Sequence, residues 1–122
     1  MAAAGHSHKF KDWLLHEMDK RGWSQSDLAR SADLNRAVIH KLLNGQSTPR
    51  PATLAALARA FRIPIERIFR IAGLLPEIPE SESLIEEVNY QFRQLRSPQR
   101  KATALMLIKA LISEEQQEQT KK

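Results

Sequence analysis

The chain has 122 residues and no cysteine, so disulfides and thiolate metal sites are excluded and a reducing compartment suits it. About two-fifths of it is apolar, enough for one packed core, yet no run approaches the roughly 20 apolar residues of a membrane span. The net charge of +5 is uneven: residues 1–73 hold 12 Lys/Arg against 6 Asp/Glu, whereas residues 74–122 hold 7 against 8, so the first part suits a polyanionic partner.

Residues 1–9 read as a disordered tail of small residues with alternating His and Ser, and Met1 to Gly5 are not followed by the apolar core of a signal peptide. The expectation is a soluble protein of the cytoplasm. The first helix is expected from near Phe10, with Phe10, Trp13, Leu14 and Met18 at helical spacing and Gly22 as its stop. Ser24 with Asp27 three residues on makes a capping box, and Trp23 with Leu28 a hydrophobic staple, so a short second helix runs from Gln25 to about Ala32. Asp33 stands where the chain must turn. Asn35 caps a third helix, and Leu34 with Ile39 repeats the staple. Val38, Ile39, Leu42 and Leu43 lie on this helix, which Gly45 ends.

Residues 46–51 are polar and hold two prolines, hence a loop. Pro51 opens a fourth helix with an apolar face of Leu54, Leu57, Ala58 and Phe61. Pro64 opens a fifth, with Ile65, Ile68, Phe69 and Ala72 expected to face inward. Residues 75–82, with Pro76 and Pro79, read as a linker. Ser83 and Glu86 form a second capping box, and Leu84, Val88, Phe92 and Leu95 share one face of a sixth helix. Ser97 and Pro98 start a seventh, whose face is Ala102, Leu105, Ile108 and Ile112; residues 83–118 are thus a helical pair that either packs on the rest or dimerises, and the polar end, 119–122, is expected to fray. The fold class is all-α: five helices over residues 10–74, then two amphipathic helices.

Two eight-residue helices joined by a tight turn have the geometry of a helix-turn-helix. The run from Ser24 to Gly45 resembles the lambda-repressor/Cro (XRE) family: a polar cap, Gln25, then Leu28-Ala29, a turn, Leu34, the Asn35 cap, Ile39 and a closing Asn44-Gly45. The resemblance covers residues 10–74. Asp33 stands where the family has glycine, and Leu43 where glutamate is common. The resemblance implies that the third helix enters the major groove by its N-terminal end, with base contacts from Arg36, Ala37 and Lys41. His40 shares that face. It also implies phosphate contacts from Gln25 and from Asn44, Ser47, Thr48 and Arg50.

A solvated charged face is the bland alternative for Arg36, His40 and Lys41. His6 and His8, two apart without further ligands, make no metal site, and His16 reads as surface. Trp13 and Trp23 read as core. There is no phosphate-binding glycine loop and no nucleophile–base arrangement, so no cofactor and no catalysis are expected. The reading is a transcriptional repressor that binds double-stranded DNA at an inverted-repeat operator as a homodimer. Its rivals are an antitoxin, partnered by a toxin, and an adaptor that keeps the scaffold and reads no DNA.

Overall fold

The computed structural model describes residues 2–46 and 48–120, with side chains from Lys9 onward. Seven helices follow in order: α1 (Ala2–Arg21), α2 (Gln25–Ala32), α3 (Arg36–Leu43), α4 (Pro51–Phe61), α5 (Ile65–Ile71), α6 (Glu80–Gln94) and α7 (Pro98–Thr120). No strand occurs among the described residues, and no helix there is long and apolar enough to cross a membrane. The chain divides into two compact units, Met1–Ser83 and Leu84–Lys122.

In the first unit, α1 to α5 enclose one core. Leu14, Leu28, Ile39, Leu54, Leu57 and Ile68 lose all contact with solvent. Each such side chain contributes about 1.5–3 kcal/mol when taken from water. Phe61 joins the two tryptophans to this core. Its ring stacks on Trp23 at 5.8 Å and meets Trp13 edge-on at 5.6 Å. Trp13, Trp23, Leu34 and Val38 are half-buried against the core, and Leu43 is buried in it. That burial calls for an aliphatic side chain at Leu43.

The helix ends follow local chemistry. Gly22 adopts φ 66°, and the next amide, Trp23 N–H, closes on the Met18 carbonyl at 2.9 Å. Gly45 does the same after α3 with φ 68°, followed by Gln46 N–H to the Lys41 carbonyl at 3.0 Å. Pro51 occupies the first turn of α4, where its missing N–H costs nothing.

Several expectations are corrected. α1 begins at Ala2, not near Phe10, because the alanines ahead of Gly5 favour helix and no proline interrupts them. Ile65 is 42% exposed rather than inward-facing. Ile63, in the turn before α5, is buried instead, and its N–H bonds the Ala58 carbonyl at 3.1 Å. α6 begins at Glu80, inside the expected linker. Ser83 therefore lies within the helix, donating its N–H to the Pro79 carbonyl at 3.1 Å, and is not a cap. Glu80 and Glu82 favour the earlier start, since anions suit a helix N-terminus. α7 stays helical to Thr120, so of the stretch expected to fray, residues 119–120 are helical and 121–122 lie outside the described residues.

In the second unit no residue of α6 or α7 is buried. Ser97 caps α7 weakly, its Oγ accepting the Arg100 N–H at 3.4 Å.

Candidate nucleic-acid interface

The site is built from two helix starts and the joint between them. At the start of α2 the capping box is complete: Ser24 Oγ accepts the Asp27 N–H at 3.1 Å, and Asp27 Oδ2 accepts the Ser24 N–H at 2.9 Å. The Ser24 backbone N–H, then its hydroxyl, then nearby Arg30 hold the Asp27 carboxyl below its ordinary value. Arg30 also donates to Asp27 Oδ1 at 2.6 Å. Gln25 follows as the first residue of α2 and is half-buried.

The joint is three residues long. Asp33 takes the left-handed conformation, φ 55° and ψ 46°, that the turn demands. Its N–H bonds the Arg30 carbonyl at 3.3 Å, and the Leu34 N–H bonds the Ala29 carbonyl at 2.8 Å. Ala29 is buried where α2 packs on α3, so its small side chain sets how closely they approach. Asn35 then caps α3, its Oδ1 accepting the Ala37 N–H at 3.0 Å.

α3 turns Ile39, Leu42 and Leu43 into the core. Arg36, Ala37, His40, Lys41 and Asn44 are exposed, at the three- and four-residue spacing that gathers them on one face. His40 Nε2 and Asn44 Nδ2 lie 2.9 Å apart, within hydrogen-bond reach. Beside this face a groove of about 270 Å³ is lined by Val38, Lys41, Leu42, Thr48, Pro49, Arg50 and Thr53. Three residues singled out in the sequence, Lys41, Thr48 and Arg50, thus border one groove. Pro49 is buried between the exposed Thr48 and Arg50 and pins the loop to the unit. That anchor was not read from the sequence, where Pro49 marked only a break. Ser47, also singled out, lies outside the described residues.

A convex helix start with exposed cationic and amide donors, next to a groove edged by Lys41 and Arg50, can offer hydrogen bonds to base edges and to phosphates at once. Among the described residues no cluster of three metal-ligating side chains occurs.

Residues 16–68 match the family model described as helix-turn-helix. The chain is 31% identical over 78 residues to the HTH-type transcriptional repressor RghR of Bacillus subtilis (strain 168). That match spans 63% of this chain and 58% of the relative. No solved structure matches the chain.

Proposed function

We propose that the chain, whose residues 16–68 match the helix-turn-helix family model, is a DNA-binding transcriptional regulator of the XRE type that represses by occupying an operator. The observation that carries the reading is the exposed face of α3, Arg36, Ala37, His40, Lys41 and Asn44, set beside a groove edged by Thr48 and Arg50. Arg36 chelates guanine O6 and N7, Ala37 meets a thymine methyl, and Lys41 reaches a guanine acceptor or a phosphate. Gln25, Asn44, Thr48 and Arg50 hold the backbone and set register. The repressor named as a relative supports the sign of regulation. Two copies bound to an inverted repeat place their α3 helices about 34 Å apart, one helical turn of the duplex.

The test is selection of binding sites from random duplex DNA at near-physiological salt, where non-specific binding is weak, about 10⁻⁴ to 10⁻⁶ M. An enriched inverted repeat with half-sites one turn apart supports the reading. No enrichment from folded protein sinks it and favours an adaptor.

A further inference from the structure

α1 packs on α5, and a further pocket of about 350 Å³ opens between them. That volume falls within the roughly 300–1,000 Å³ of small-ligand sites. α1 contributes Lys9 and Trp13, four residues apart on one face. α5 contributes Arg67, Arg70 and Ile71, again at three- and four-residue spacing. The segment after α5 comes back to α1 and adds Glu77 and Ile78. Among the described residues none of α2, α3 or α4 lines this pocket.

Its walls sort by chemistry. Trp13, Ile71 and Ile78 are half-buried and supply apolar surface. Arg67 and Arg70, also half-buried, and the exposed Lys9 supply three cations against one acid, Glu77. Trp13 adds an unspent donor, since its Nε1 is buried and has no hydrogen-bond partner. Nearly all buried polar atoms in folded proteins are paired, so an unpaired one on a ring that borders a pocket points to an acceptor supplied from outside. Glu77 shows which anion suits the place. Its carboxylate accepts from Lys9 Nζ at 2.9 Å, across 68 positions of sequence. The two side chains are 53% and 76% exposed, and an ion pair so open to water is readily exchanged.

We propose that this pocket binds a small carboxylic acid with an apolar body about the size of one ring, and that Glu77 is its internal competitor. The incoming carboxylate takes Lys9 from Glu77 and is met by Arg67 and Arg70, whose planar guanidinium groups match a carboxylate in shape. The apolar body lies against Trp13, Ile71 and Ile78. A bare anion gains nothing from those three side chains, and a neutral ring gains nothing from the cations. The site goes beyond operator reading, shares no side chain with the face of α3, and is measured without DNA.

Phenylacetate is the probe, titrated into the full chain. The sequence holds two tryptophans, so Trp23→Phe leaves Trp13 as the sole indole reporter. Its fluorescence should change and saturate, with half-saturation on the order of 1 mM for a ligand of about ten heavy atoms in an open site. In methyl NMR spectra of the parent, Ile71 and Ile78 should shift, and Ile39, in the core beneath α3, should not. Glu77→Gln should tighten binding and Lys9→Gln should weaken it, each by up to about fivefold, the worth of an exposed ion pair. Both residues are exposed, so both variants should keep the helical circular dichroism of the parent. Phenylacetamide, the neutral analogue, and inorganic sulfate, the bare anion, should each bind about tenfold more weakly. No saturation up to about 20 mM overturns the proposal. So do shifts that leave out Ile71 and Ile78, sulfate binding as tight as phenylacetate, or a Glu77→Gln variant that binds no tighter. Binding here by a chain that enriches no DNA supports the pocket and sinks the regulator. An enriched operator with no binding here sinks the pocket and leaves DNA reading intact.

Discussion

The guanidinium of Arg21 donates at 2.6 Å to the buried carboxylate of Glu17 and at 3.1 Å to the backbone carbonyl of Phe61. One side chain thus neutralises the buried acid of the core and closes the end of α4 onto α1. It also lies 4.6 Å from the centre of the Phe61 ring, a cation–π contact. Removing it leaves Glu17, only 5% exposed, without its closest cation. Arg21→Ala should cost about 2–3 kcal/mol, the range for breaking a charged hydrogen bond to a buried partner. Urea unfolding of the purified variant measures this directly.

Acid should unfold the first unit through two carboxylates. Burial works to raise the pKa of Glu17, but the Arg21 hydrogen bond and the Lys20 and Arg21 charges outweigh it and hold the group below its ordinary 4.5. Asp27 is likewise held below 3.8, chiefly by the Ser24 N–H. Both folded-state values lie beneath the unfolded ones. Their stabilisation is therefore complete above about pH 4.5 to 5 and is lost as pH falls through the lower folded values. Melting temperature measured from pH 7 to pH 2 should hold steady and then drop below pH 4.5. Glu17→Gln should be less stable at pH 7 and should show a shallower drop.

Asp33 is a non-glycine residue in the left-handed region, a conformation that costs an L-residue roughly 1–2 kcal/mol, less for Asp and Asn. Its side chain is exposed. Asp33→Gly should stabilise the unit by up to about 1 kcal/mol, because the relieved strain exceeds the added freedom of the unfolded chain. A rise of a few degrees in melting temperature, with unchanged DNA affinity, is the expected result.

Arg36→Ala and Arg50→Ala should separate base reading from backbone holding. Arg36→Ala should relax one position of the selected site and cost about 1–3 kcal/mol on the preferred sequence. Arg50→Ala should weaken all sequences alike and reduce the salt slope by about one. Titrations against matched and mismatched duplexes at several salt concentrations read both quantities.

How far these features were legible in the amino-acid order depends on how local their causes are. The joint from Ser24 to Gly45 is written in neighbouring residues: a capping box spans three positions, a cap two, a turn three. The bounds of α2 and α3 and the exposed face of α3 follow from those alone. Glu17 is different. Its burial depends on an arginine one turn away whose second partner, the Phe61 carbonyl, is 40 residues further along. Ile63 and Ile65 are equally apolar, and only the position of Pro64 against the core decides which is buried. The Ser83 capping box pointed to a single start for α6, but the acids just ahead of it carry the helix back to Glu80. The groove beside α3 is likewise a tertiary product, since Pro49 must be anchored before Thr48 and Arg50 flank Lys41.

The joint between α2 and α3 has no slack. Asp33 and Leu34 spend their amides on α2, and Asn35 spends its carboxamide on α3. A single residue inserted in this joint would pull the Leu34 N–H away from the Ala29 carbonyl or the Asn35 cap away from the Ala37 N–H. Length in this segment is therefore not free to drift, while identity at Arg36, Ala37 and Lys41 is, because none of those side chains takes part in the joint's bonds. The domain is a fixed mount with an exchangeable outer face, and under the proposed function its specificity should be open to rewriting at those three positions without refitting the joint that carries them.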